Sequence, residues 1–162
     1  TEVGPLISEN HKARVLQFIH SGVKEGAELL VDGRSHAQSQ NNFLAPSIFA
    51  KVKPEMSIMK EEIFGPVLCV TEAKDLNHAI EIVRSCPFAN AVSLFTTCGK
   101  SAQHFKREIG VSMIGINIGV AAPMAFFPFG GTKNSFFGDT KAHGKDAIKF
   151  YTDQKMVISR WF

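Results

Sequence analysis

The chain has 162 residues, 44% hydrophobic and 20% charged, with 18 basic and 15 acidic side chains and a formal net charge of +3. This size and mixture suit one globular domain or a large piece of one. The charges are scattered rather than grouped, which argues against nucleic acid or an anionic membrane as the main partner, and no apolar run approaches membrane-spanning length.

The chain opens on Thr1, and Gly4-Pro5 leads directly into a helix signal, which reads as entry into the middle of a larger protein. Ser8 is the expected N-cap of a helix carrying Leu16, Ile19 and Val23 on one face, with Gly26 as its stop. Leu29-Leu30-Val31 reads as a short strand closed by Asp32-Gly33. His36 to Asn42 is polar and aperiodic, a loop. Ser47-Ile48-Phe49 is a further short strand, and Met56, Ile58 and Met59 are expected to fill core.

Next comes the densest stretch, Lys60-Glu61-Glu62-Ile63-Phe64-Gly65-Pro66-Val67. Two carboxylates and an aromatic precede a Gly-Pro break and the apolar run Val67-Leu68-Cys69-Val70. Strand ends are where α/β proteins hold ligands; a carboxylate accepts hydrogen bonds from sugar hydroxyls, and a Phe packs flat on a planar ring. The plainer reading is a solvated charged turn before a buried strand.

Val67 to Thr71 is predicted as that buried strand. Asp75 can cap a helix with Leu76, Ala79, Ile80 and Val83 at helical spacing, ended by Pro87. Ala91 to Thr96 is a strand, Ser101 can cap a helix with Ala102, Phe105 and Ile109, and Met113 to Ile118 is a strand again. Alternating strands and helices predict an α/β fold, a largely parallel sheet with flanking helices. Residues 119–138 are rich in Gly, Pro and Phe, and are either a binding loop or a satellite core. Gly130-Gly131 there could let backbone approach a ligand closely, although no phosphate-binding glycine motif occurs. A short helix near Lys145 to Phe150 and a terminal strand over Lys155 to Trp161 complete the chain, the strand offering an edge for a second subunit.

Cys69, Cys86 and Cys98 lack C-x-x-C spacing and a recognisable His partner, which suits a reducing compartment without disulfides. The six histidines are dispersed without ligand spacing, so no metal is expected, and His11, His20, His78 and His104 read as surface positions on helices.

Taken together, Glu61-Glu62-Ile63-Phe64-Gly65-Pro66 resembles the E-E-I-F-G-P motif of the aldehyde dehydrogenase superfamily. Phe129-Gly130-Gly131 with Lys133 and Ser135 resembles its P-F-G-G-x-K-x-S segment. Gly115-Ile116-Asn117, Pro123 to Phe129, Ser135 to Asp139, Gly144-Lys145-Asp146 and Phe150-Tyr151-Thr152 are most similar to the CoA-acylating methylmalonate-semialdehyde dehydrogenase branch. The likeness covers nearly the whole chain but only the C-terminal part of a family member.

The resemblance implies an NAD-dependent oxidoreductase with CoA as cosubstrate. Glu62 would hold the nicotinamide ribose, Phe64 would lie beside the nicotinamide ring, and Asn117, Phe127 and Phe129 would line the semialdehyde pocket. It implies residues 1–138 as part of a catalytic domain and 139–162 as a tail with the oligomerisation strand of a homo-oligomer. The compartment would be cytoplasmic in a bacterium, or the mitochondrial matrix in a eukaryote. The family nucleophile, a Cys that attacks the aldehyde to give a thiohemiacetal and then a thioester, lies upstream of this segment. None of the three cysteines occupies its motif, so the chain alone is expected to be inactive. Alternatively, it is a non-catalytic module that pairs with a full-length relative. Three departures from the family pattern stand out: Phe88-Ala89-Asn90-Ala91 in place of a glycine-richer turn, Ser112 in place of Gly, and Thr132 in place of a bulky residue. The two alanines would carry strain if their positions require positive φ.

Overall fold

The computed structural model describes residues 3–36 and 41–162, and the central part of the loop expected over His36 to Asn42 lies outside the described residues. The first helix, α1 (Glu9–Lys24), starts where Ser8 accepts a hydrogen bond from the His11 backbone N–H at 3.1 Å, as its N-cap role predicts. It ends in a paired closure: Ala27 N–H donates to Gly22 O, and Gly26 N–H donates to Val23 O. Gly26 takes φ +93° to make this turn. The buried face runs through Lys12, Val15, Ile19 and Gly22. Ile19 is buried as expected, but Leu16 is only partly buried and Val23 is exposed, because Val15 and Gly22 take the neighbouring buried positions.

Next come β1 (Glu28–Val31), a 3-10 turn (Gly33–His36), β2 (Ser47–Ala50), the one-turn helix α2 (Ser57–Lys60) and β3 (Val67–Cys69). The three strands form one sheet in the order β1-β2-β3, antiparallel at β1–β2 and parallel at β2–β3. Its core gathers Val15, Ile19, Leu44, Phe49, Val52, Met56, Ile58 and Ile63, so Met56 and Ile58 are core as expected. The strand from Val67 is shorter than predicted and is not buried on both faces: Leu68 is 57% exposed. A continuous apolar run predicts two covered faces, but β3 is an edge strand here and packs on one.

Residues Thr1–Asp75 form one compact unit and Leu76–Phe162 a second. The second holds α3 (Leu76–Ser85), β4 (Phe88–Ala89), β5 (Ala91–Leu94), α4 (Gly99–Glu108), β6 (Met113–Ile116), β7 (Thr132–Lys133) and α5 (Asp146–Tyr151). Helix α4 links the parallel pair β5–β6, the crossover read from sequence, while β4–β7 is antiparallel. The α/β class thus holds, built from three small sheets. Ile80, Phe105 and Ile109 are the buried core, flanked by Val83, Val92, Leu94, Ile114 and Ile116. Helix α4 begins with Cys98 at the N-cap position, leaving Ser101 inside its first turn rather than capping it. Ala89 and Ala91 lie in strands, outside the positive-φ set, so their departure from the glycine-rich pattern brings no strain.

The strand expected over Lys155 to Trp161 does not form. Met156, Val157, Ile158 and Trp161 are exposed; a strand needs a hydrogen-bonding neighbour, and among the described residues this segment has none. Among the described residues no helix is long and apolar enough to cross a membrane, and no group of three or more His, Cys, Asp and Glu gathers as a metal site.

Candidate functional site

The stretch Glu61 to Gly65 joins α2 to β3 and lies across the first turns of α1. Ile63 is buried and anchors it to the core. The Arg14 guanidinium donates to the carbonyl oxygens of Glu62 and Ile63 at 3.1 to 3.2 Å, and reaches the Glu61 carboxylate at 3.4 Å. The Phe18 ring backs that guanidinium, 4.6 Å from its central carbon. His11 Nε2 lies 2.7 Å from the Phe64 carbonyl oxygen. A carbonyl only accepts, so Nε2 carries the proton and donates. Gly65 passes so close to α1 that a Cβ there would lie 2.8 Å from a Val15 methyl. One helical face, His11, Arg14 and Val15, therefore docks the whole stretch.

The docking fixes the backbone and leaves the chemistry outward. Phe64 sits at φ +57°, the left-handed region that non-glycine residues rarely occupy. The residue is 73% exposed, and its ring makes an edge contact with the His11 ring at 6.4 Å. The Glu62 side chain is exposed, while its own carbonyl is held by Arg14. An open, mainly apolar cavity of about 780 Å³ adjoins Phe64, lined by Leu6, Ile7, His11 and Phe43 among others. That volume is in the range of small-molecule sites. An exposed carboxylate two residues from an exposed ring on a fixed backbone suits a hydroxylated, partly planar ligand.

In the second unit the three predicted pocket residues differ in kind. Asn117, at φ +57°, accepts from Thr96 N–H at 2.8 Å through Oδ1 and donates to Thr96 O at 3.0 Å through Nδ2. Its carboxamide is engaged with main chain. Phe127 packs at a tilt on Phe126 with centroids 4.6 Å apart, and Phe129 lies 5.7 Å from the His143 ring. Both are exposed, so this loop is not a satellite core among the described residues. The Gly130-Gly131 pair is buried and makes room for the chain itself. A Cβ on Gly130 would meet the Lys141 side chain at 2.5 Å, and one on Gly131 would meet Ser135 at 2.8 Å.

The sequence singles out Glu62 and Phe64 as candidate cofactor-facing residues, but gives His11 and Arg14 no part in holding them. His11 read as a surface histidine, yet it is half-buried and bonded. The sequence signal is a polar pair at i and i+3 ahead of the buried Val15; their partners lie 47 to 53 residues away.

The thiols divide by environment. Burial pushes the Cys69 thiol up, and its sulfur lies 3.7 Å from Ile58 O. Cys98 is exposed, and hydrogen bonding from the Ser101 hydroxyl, then from backbone, holds it below its ordinary value.

Comparison with known proteins gives a consistent result. The pattern of the Aldehyde dehydrogenase family matches residues 1–157. The chain is 51% identical over 160 residues to malonate-semialdehyde dehydrogenase 1 of Bacillus licheniformis, covering 99% of this chain and 33% of that protein. It is similar to the crystal structure of methylmalonate-semialdehyde dehydrogenase from Oceanimonas doudoroffii, with a TM-score of 0.91 and 38% identity over 98% of this chain and 33% of the other. A Mycobacterium tuberculosis aldehyde dehydrogenase complexed with NAD+ aligns with a TM-score of 0.84 and 35% identity, over 94% of this chain and 31% of the other. The chain thus spans about a third of the length of the relatives it matches.

Proposed function

Since the chain belongs to the aldehyde dehydrogenase family, we propose that it is the C-terminal third of an NAD-dependent, CoA-acylating malonate- or methylmalonate-semialdehyde dehydrogenase. The observation that carries this reading is the presented edge: the Glu62 carboxylate and the Phe64 ring face outward on a backbone fastened through three carbonyls. The donor set fits NAD, whose ribose offers hydroxyls to a carboxylate and whose nicotinamide offers a flat ring to an aromatic. When bound, NAD would supply the acceptor for the hydride leaving the substrate carbon as that carbon is oxidised. In this chain, Glu62 accepts the ribose hydrogen bonds and Phe64 bounds one side of the ring. Phe127 and Phe129 supply apolar wall to the semialdehyde pocket, with Asn117 at its margin.

The overall conversion would be semialdehyde, CoA and NAD to acetyl-CoA or propionyl-CoA, carbon dioxide and NADH. The nucleophilic Cys belongs upstream, so the isolated chain turns nothing over. Residues 1–138 complete a catalytic domain, and 139–162 serve subunit pairing in a homo-oligomer of the bacterial cytoplasm. A second reading has support from one feature, the exposed apolar tail Met156 to Phe162. In that reading the chain is a non-catalytic module docking on a full-length relative through the tail.

The test is NADH formation by the full-length gene product with malonate semialdehyde. Formation that requires CoA and yields acetyl-CoA supports the proposal. A free acid formed without CoA assigns a hydrolytic branch instead, and no NADH under either condition overturns it. Turnover by the isolated chain that Cys98→Ala abolishes would overturn its inactivity. Co-elution of the isolated chain with a full-length relative would favour the module.

A further inference from the structure

We propose that His11 is a positioning residue for the cofactor-facing aromatic, acting through the Phe64 carbonyl rather than by touching the reacting atoms. The proposal rests on the functional reading above and deepens it.

The Phe64 ring is mostly exposed, so packing does not hold it. Its direction follows from its backbone, and that backbone is in a region costly for any residue with a Cβ. Such a conformation persists only where neighbouring bonds over-determine it. Arg14 fixes the two preceding carbonyls, and Gly65 rests on Val15 behind. Among the described residues, the bond to Phe64's own carbonyl oxygen is from His11 Nε2, at 2.7 Å. The His11 ring then also meets the edge of the Phe64 ring. One imidazole therefore sets both the peptide orientation and one flank of the aromatic. The bond needs a proton on Nε2, which both the neutral Nε2–H tautomer and the imidazolium supply. An amide N–H of similar reach can replace it.

The test uses the full-length enzyme. His11→Ala should weaken NAD binding in calorimetry about fivefold, the change expected for one lost hydrogen bond. KM for NAD should rise in parallel, while KM for the semialdehyde at saturating NAD stays at the wild-type value. His11→Gln, which returns a donor at comparable reach, should restore NAD affinity. If the alanine variant fails to fold, His11→Asn, too short to reach the carbonyl, takes its place. Wild-type NAD affinity in His11→Ala or His11→Asn overturns the proposal and leaves the functional reading standing. So does weak binding that His11→Gln does not restore. A wild-type enzyme that binds no NAD overturns the functional reading, and the proposal with it.

Discussion

The Lys133 ammonium donates to the carbonyl oxygens of Arg84 and Cys86, at 2.6 and 2.8 Å, across the C-terminal end of α3. The last carbonyls of a helix lack intrahelical partners, and a cation there satisfies them and complements the helix dipole. Two neighbours fasten the same junction: Ser135 Oγ accepts from Ala89 N–H at 3.0 Å, and Thr132 Oγ1 lies 3.3 Å from Ala89 O. The glycine-rich motif therefore supports the turn after α3 and the β4–β7 pair.

Lys133→Met keeps the aliphatic stem and removes both bonds. We expect a loss of about 1 kcal/mol, at the low end for charged hydrogen bonds because the site is solvent-facing. Urea unfolding checks it, and an unchanged midpoint would mean water replaces the ammonium without cost.

Gly65→Ala tests the docking of the presented edge at Val15, one turn along α1 from His11. The added methyl would lie 2.8 Å from Val15 Cγ2, and Val15 is fully buried, so the loop must lift. Overpacking of this kind costs about 1–3 kcal/mol. The same variant in the full-length enzyme should bind NAD less tightly. Normal stability with normal NAD affinity would show that Val15 turns aside.

Much of this fold was legible because its signals are local. Ser8, Gly26 and the periodic apolar residues of α3 and α4 declare themselves within a few positions. The errors arise where the deciding partner is remote or lies outside the chain. Val67 to Val70 looked doubly buried because composition does not reveal whether a second layer covers the sheet. The tail from Lys155 has strand composition but, among the described residues, no neighbouring strand. His11 and Arg14 could not be read as docking residues, since their partners are backbone carbonyls, which every residue has.

Thiol chemistry should separate Cys98 from Cys69. Cys98 is exposed and its thiolate is favoured by Ser101, whereas burial disfavours the Cys69 thiolate. Iodoacetamide should modify Cys98 first, with a rate midpoint at lower pH than for Cys69. Ser101→Ala should move that midpoint up. Modification of Cys69 ahead of Cys98 would contradict the assignment.

Asp32 provides a pH-dependent contribution with a defined sign. Side-chain hydrogen bonding from Arg34, with Nη2 at 2.7 Å, and then the Arg34 backbone N–H hold its carboxyl at about 2. Its unfolded value is near 3.9, so the native pKa is depressed. The pair therefore contributes fully above about pH 4, and the contribution is lost as pH falls toward 2. Carboxyl NMR titration should give a midpoint of about 2 in the wild type and a higher one in Arg34→Gln. The stability difference between the two proteins should vanish across that window. A difference that persists below pH 2 would point to packing of the arginine stem.

Asn117 separates a structural role from a pocket role. Its backbone N–H donates to Leu94 O at 2.8 Å, and its carboxamide then pairs with both main-chain groups of Thr96. The side chain thus continues the β5–β6 ladder as a further peptide group would, while φ +57° turns the chain away. Asn117→Gly keeps that φ without strain but loses the carboxamide, so it should cost about 1–2 kcal/mol. Asn117→Ala loses the same bonds and adds the cost of a left-handed alanine, so it should be the less stable of the two. Asn117→Asp keeps the acceptor for Thr96 N–H and sets a carboxylate against Thr96 O, so it too should fall below wild type. Thermal unfolding of the three variants checks the order. If Asn117→Gly melts with the wild type but raises KM for the semialdehyde in the full-length enzyme, the ladder contact is dispensable and the residue's role lies in the pocket.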